Sequence, residues 1–272
     1  MTEELRFTVG AVWLNHVRRG HGEPLLLLHS LGGTLVQWSP VIERLAEERE
    51  VIAVDMPGFG ESPELPDGVS PRAANLATAV LDFYDALGIE GTPAVAGISL
   101  GGWVAVECAR QGGASAAVAL CPAGFWRRSP GEADRLLTRR RRRGRLARPL
   151  FRPIMATKRG RRRALGRFIH RPERLRPGEA EAIASAYVTA PAYEEASALM
   201  RAGRVEELKS IKAPITLAWA EHDTLVRNKP LPAKLLPKRV EQVALEGCGH
   251  VPTWDDPELV ARIVLAGARR TR

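Results

Sequence analysis

Residues 96–103 read AGISLGGW. They follow the apolar run Pro93–Val95 and lead into VAVECAR, which has the apolar spacing of a helix. Glycine inside an element costs roughly 1 kcal/mol against alanine. Three glycines crowded around one serine at a strand–helix junction therefore need a local reason. A strand that turns abruptly into a helix supplies one. The residue at the tip takes up a strained, positive-φ backbone, at a cost of order 1–3 kcal/mol. Its neighbours two positions away must be small, or their Cβ atoms collide with the adjoining elements. Gly97 and Gly101 stand in those positions around Ser99. The spacing predicts a tight elbow with the Ser99 hydroxyl exposed at its tip.

The rest of the chain has the same rhythm of strand feeding helix. Pro24–His29, Val51–Val54, Pro93–Ile98 and Ala114–Leu120 are short apolar runs bounded by turn residues, as expected of strands buried on both faces. Helices are expected over residues 36–48, 71–87 and 100–110, the second carrying Leu76, Val80, Phe83 and Leu87 on one face. Phe7–Val9 and Val12–Val17 suggest an opening hairpin. Beyond residue 213 the expected order is strand (Ala213–Ala220), helix (Pro230–Leu236), strand (Val240–Leu245) and helix (Pro257–Ala268). Such alternation predicts an α/β fold: a mostly parallel, doubly wound sheet of about eight strands.

One segment breaks the rhythm. Residues 127–176 hold 20 Lys/Arg and 3 Asp/Glu, whereas the remainder holds 20 and 28. The net charge of +9 thus belongs to a very basic insert in a mildly acidic chain. The insert reads as helical, with two helices marked by Ile183, Tyr187, Tyr193 and Leu199. The expected organisation is a core of residues 1–123 and 205–272 with a helical, basic cap at 124–204. The runs RRRRR (Arg139–Arg143) and KRGRRR (Lys158–Arg163) could attract nucleic-acid phosphates, an anionic membrane surface or an acidic substrate. No aromatic residues interleave with them for base stacking. The preferred reading is a solvated face, with no nucleic acid expected, although the charge leaves that open.

Composition excludes several classes. With 45% hydrophobic residues a large core is available. No apolar run approaches the length of a membrane span, and the acidic MTEELRFTVG start lacks a signal peptide's apolar core. Cys108, Cys121 and Cys248 are too few and too scattered for a disulfide framework or zinc site. A cytoplasmic location is the simplest expectation, and oligomeric state is left open.

A serine hydroxyl needs a base within hydrogen-bond reach, and the base needs an orienting partner. His250, in EGCGHVPTWDDP, directly follows the last predicted strand. Asp223, in WAEHDTLV, directly follows the strand after the insert. Both should emerge with Ser99 at the carboxyl edge of the sheet, where such sheets bind ligands. The amide of Leu100, first in its helix, and that of Leu31, in HSLGG, are the expected donors to an oxyanion. Asp255 and Asp256 are rivals to Asp223, but their place before Pro257 suits the start of a helix. His29 and Asp55 are expected to order loops by hydrogen bonding. Ser30 and Trp126 are the candidates for substrate contact. No metal-ligand cluster or nucleotide-binding glycine pattern accompanies this set.

Taken in order, HSLGG, DMPGFGES, GISLGG, AEHDTLV and GCGHVPTWDDP resemble the motifs of the α/β-hydrolase superfamily, over residues 10–268 and on both sides of the insert. Ser30 stands where that family usually has glycine. The resemblance implies a capped, cofactor-independent serine hydrolase acting on a small-molecule acyl substrate, most simply a small or medium carboxylic ester. Carbon–carbon bond hydrolysis of a diketone-like acid, acyl transfer or perhydrolysis, and a non-catalytic receptor on the same fold are the alternatives.

Overall fold

The computed structural model describes residues 13–126, 133–226 and 236–270. Seven strands form one sheet: β1 (His16–Arg19), β2 (Pro24–Leu28), β3 (Glu50–Val54), β4 (Ala94–Ile98), β5 (Ala116–Leu120), β6 (Ile215–Ala220) and β7 (Val240–Leu245). Their spatial order is β1-β3-β2-β4-β5-β6-β7. All neighbours are parallel except β1, which lies antiparallel to β3 with His16 opposite Val54. The mostly parallel α/β sheet expected from the sequence is the one observed, with seven strands among the described residues. The strand expected at Phe7–Val9 lies outside those residues. So does the helix expected at residues 230–236, all but its last residue.

Successive residues of a strand point to opposite faces, and here both faces are covered. Leu26, Leu28, Ile52, Val54 and Val95 join one core cluster, with Leu76, Val80 and Phe83 of α2 (Ala73–Ala86) and Val104 of α3 (Leu100–Arg110). Leu25, Leu27, Val51, Ala53 and Ala96 join the other. Leu45 of α1 (Ile42–Ala46) and Val260 and Val264 of the final helix (Pro257–Ala268) pack there. Every residue of β2, β4 and β5 is buried, which is why these strands read as continuous apolar runs.

Between β5 and β6 the described residues are all helix and loop: α4 (Ala133–Ala147), α5 (Phe151–Ala156), α6 (Lys158–Leu165), α7 (Pro177–Thr189) and α8 (Tyr193–Ala202); the final helix is α9. Phe151, Met155, Leu165 and Val188 extend the second core cluster, while Tyr193 and Ala196 extend the first. Some of the basic charge has a structural use here. Arg141 is fully buried beneath the Tyr193 ring and donates to the carbonyls of Tyr187 and Ala190; Arg145 donates to that of Val188. Carbonyls in the last turn of a helix lack intrahelical partners. The two guanidinium groups, one helical turn apart, satisfy them at the end of α7.

One expected helix is broken. Residues 36–48 form a 3-10 turn (Leu35–Trp38) followed by the short α1: Pro40 has no N–H to donate to a helical ladder, and Val41, with φ −120 and ψ −12, departs from helical backbone before α1 begins.

The order of the strands reverses between β2 and β4: the chain goes outward from β2 to β3, then returns to β4 and runs the other way. In such sheets the crevice lies outside the carboxyl ends of the strands at this reversal. The loop after β2 and the elbow after β4 both open there. The elbow depends on close backbone approach. A Cβ on Gly97 would stand 2.0 Å from the Gly101 carbonyl oxygen, and one on Gly101 would stand 2.5 Å from the carbonyl oxygens of Leu28 and His29. Backbone cannot yield as a flexible side chain can. Gly97→Ala is therefore expected to destabilise the fold by about 3 kcal/mol or more, read as a lowered urea midpoint.

Candidate active site

Ser99 sits at the tip of the elbow with φ 55 and ψ −111. Surrounding bonds hold it there: its amide donates to the Leu120 carbonyl at 2.9 Å, and its carbonyl accepts from Trp103 at 3.1 Å and Ala123 at 3.0 Å. Cys121, at the end of the neighbouring strand, is also in the left-handed region, with φ 47. Strain of this kind persists only where the surroundings over-determine it, and it collects at functional sites.

The ends of β6 and β7 deliver the other two expected residues to one place. His250 Nδ1 donates to Asp223 Oδ2 at 2.7 Å, and each side chain is only 5% exposed. Asp223 Oδ1 accepts from the amides of Leu225 and Val226 at 2.8 and 2.9 Å. A carboxylate with three donors has little freedom to rotate, so it fixes the ring's orientation. With Nδ1 carrying the proton, Nε2 keeps its lone pair. Ser99, His250, Ser30, Leu31 and Trp126 line a single cavity of about 70 Å³. The sequence had marked all five.

The loop after β2 is braced from below. His29 is fully buried; its Nδ1 donates to the Ser30 carbonyl at 2.8 Å, and its Nε2 accepts from the Met56 amide at 2.9 Å. Asp55 accepts from Asn15 at 2.8 Å and from the amides of Leu35 and Glu61 at 2.7 and 3.1 Å, tying this loop to its own. A protonated His29 would set a second N–H against the Met56 amide. Burial, opposed more weakly by the charge of Asp55 and the Ser30 carbonyl, holds its pKa below the ordinary value of 6.5. The unfolded chain therefore takes up a proton before the folded one does. Stability contributed by neutral His29 is complete above pH 6.5 and falls as the pH drops below it. The expected sign is a loss of stability as the pH falls, with a slope bounded by the one-proton limit of about 1.4 kcal/mol per pH unit. Urea titrations from pH 7.5 to 5 should show that slope, and His29→Gln should lack it.

Other residues at the site take roles that the sequence alone does not assign. Gln37 accepts from the Ser30 amide and donates to the Ser30 hydroxyl, both at 2.9 Å, and its carbonyl accepts from Thr253 at 2.6 Å. It thereby joins the loop after β2 to the segment after His250. Asp256 caps α9 through the Leu259 amide, as expected, but Asp255 does something else. It accepts from the amides of His170, Arg171 and Gly249 at 2.8–2.9 Å, so one carboxylate holds the insert against the histidine loop. Tyr187, Tyr193, Phe168 and Arg167 bring the insert to the cavity. A larger space of about 470 Å³ adjoins it, sharing Ser30, Leu31, Phe168 and Tyr187 and extending to Phe151, Met155, Arg143 and Arg163. Polar partners separated by tens of residues leave no local pattern. Tyr187 and Tyr193 had appeared only as marks of helical periodicity.

Among the described residues, one group of three could hold a metal: Cys121, Asp223 and His250, with ligand atoms within 4.8 Å of one another. Burial first, and then the charge of Asp223, push the Cys121 thiol well above its ordinary range, so it stays protonated and is a poor ligand. Cys248, two residues before His250, is pushed to about 12, chiefly by burial, and is equally inert.

A model of the alpha/beta hydrolase family matches residues 25–263. The chain belongs to that family. Among solved structures, this hydrolase is similar to a thermophilic esterase from Thermogutta terrifontis (24% identity, 94% of this chain and 92% of that one, TM-score 0.70). It is also similar to an enol-lactonase from Burkholderia xenovorans (21% identity, 94% and 96%, TM-score 0.71). Among curated proteins it resembles the dihydrolipoyllysine-residue acetyltransferase component of the acetoin cleaving system of Cupriavidus necator. That identity is 36% over 102 residues, which are 37% of this chain and 26% of the relative. No helix among the described residues is long and apolar enough to cross a membrane.

Proposed function

We propose that the hydrolase cleaves a carboxylic ester through an acyl-enzyme intermediate on Ser99, with His250 as the base and Asp223 as its orienting partner. The observation that carries this reading is the 2.7 Å His250–Asp223 bond, whose acceptor-bearing Nε2 belongs to a ring lining the same cavity as the elbow serine.

Each step follows from a named group. His250 Nε2 takes the Ser99 proton as the hydroxyl oxygen attacks the acyl carbon. Asp223 stabilises the imidazolium that results. The carbonyl oxygen becomes an oxyanion held by the amides of Leu100 and Leu31. Leu100 begins α3, where amides have no intrahelical acceptor and the helix adds positive partial charge. The imidazolium then protonates the departing alcohol. Water, deprotonated by the same nitrogen, then attacks the acyl carbon; the bond to Ser99 breaks, the imidazolium returns the proton to the Ser99 oxygen, and the acid leaves. The helical insert acts as a cap: its tyrosines and Phe168 keep bulk water from the reacting carbonyl. The adjoining 470 Å³ space, with Phe151, Met155 and Leu165 beside Arg143 and Arg163 in its lining, has room for an extended acyl or alcohol group of the ester.

The test is a panel of chromogenic esters of increasing acyl length, together with mass analysis after fluorophosphonate treatment. The expected result is turnover on the panel and one adduct, on Ser99. A folded protein with neither is a receptor on a hydrolase fold.

A further inference from the structure

Residues 139–163 contain 13 Lys/Arg and no Asp/Glu. Arg141 and Arg161 are buried and hydrogen-bonded to carbonyls, and Arg162 pairs with Glu173. Arg142, Arg148 and Arg152 are exposed and have no carboxylate partner among the described residues. Charge without an internal use is one half of the observation.

The other half is apolar. Among the described residues only four large hydrophobic side chains are exposed, and three of them stand in this same stretch: Leu146 (86%), Leu150 (58%) and Ile154 (37%). They recur every four residues, from the end of α4 to the middle of α5. The inward side of the same segment is already supplied by Phe151 and Met155, which are buried and line the 470 Å³ space. The segment is thus apolar on two sides, and the core uses only one. Leucine and isoleucine amid unpaired arginines match a surface that is apolar inside and anionic outside. Nucleic acid presents phosphates but no apolar layer to receive Leu146 and Leu150.

We propose that the α4–α5 segment docks on an anionic lipid bilayer, with Leu146, Leu150 and Ile154 entering the headgroup–acyl boundary and Arg142, Arg148 and Arg152 meeting lipid phosphates. The protein lies on the surface without spanning it. Docking would set α5 between the bilayer and the apolar space behind Phe151 and Met155.

The test is flotation of the purified protein with vesicles of phosphatidylcholine alone or with 30% phosphatidylglycerol added. The expected result is at least tenfold stronger partition onto the anionic vesicles, weakened by salt. A triple Leu146→Ser, Leu150→Ser, Ile154→Ser variant should lower partition about tenfold, a cooperative melting curve showing that it remains folded. Each of Arg142→Gln, Arg148→Gln and Arg152→Gln should lower it about fivefold. Equal partition onto both vesicle types, or partition that the triple variant leaves intact, overturns the proposal. Two further results also overturn it: salt-dependent binding to duplex DNA without vesicle binding, and a solution dimer that the triple variant dissociates. None of the substituted residues lines the Ser99 cavity, so loss of docking and loss of ester turnover are read separately.

Discussion

Ser99→Ala is expected to lower kcat on the best ester of the panel by roughly a millionfold, the scale on which loss of a serine nucleophile acts in comparable sites. The backbone predicts a clean comparison. Alanine keeps a Cβ, so residue 99 stays in the same strained φ 55 conformation, braced by the bonds to Leu120, Trp103 and Ala123. The cavity loses one oxygen and nothing else moves. Substrate binding should therefore persist, with KM or a measured Kd changed by less than severalfold. Pre-steady-state mixing should show no burst of released alcohol. A variant that retained more than a thousandth of the wild-type kcat would place the nucleophile elsewhere.

Asp223→Asn is expected to lower kcat by about ten-thousandfold at neutral pH. The reasoning concerns one proton. The wild-type carboxylate can only accept from His250, so Nδ1 carries the hydrogen and Nε2 is free to act as the proposed base. An asparagine presents either oxygen or NH₂ to the ring. The Leu225 and Val226 amides donate to Oδ1, so they would keep the asparagine oxygen at that position and leave its NH₂ facing His250. Nδ1 must then accept, the proton moves to Nε2, and the base is lost while packing is conserved. Fluorophosphonate labelling of Ser99 should slow in parallel, while the melting temperature shifts little. Equal kcat in the variant and the wild type would show that Asp223 does not set the tautomer.

What could be read from the sequence shares a cause. Ser99, Asp223 and His250 each follow directly on an apolar run, and each sits in a short loop rich in glycine or polar residues. Local pattern alone locates the ends of parallel strands, and topology carries those ends to one edge. The buried strands β2, β4 and β5 were legible because a two-sided core demands unbroken apolar runs. Gln37, Asp255 and Cys121 were not, because their roles lie in bonds or φ angles that arise only when distant segments meet. The arginine run resisted reading for another reason. Five identical residues carry no phase, and only the helix assigns Arg141 to the interior and Arg142 to the surface. Pro40 was visible all along, but the apolar spacing of Val41, Ile42 and Leu45 masked the break it makes.

The carboxylate of Asp255 has a mechanical corollary. It clasps residues 170 and 171 of the insert and residue 249 of the core, while the Val251 amide donates to the Phe168 carbonyl at 2.7 Å. These grips flank His250 on both sides. The insert and the histidine loop are consequently geared together: residues 168–171 cannot shift without tugging the imidazole's own loop. If the insert moves to admit the proposed substrate, that motion is expected away from this grip, so that the ring holds still.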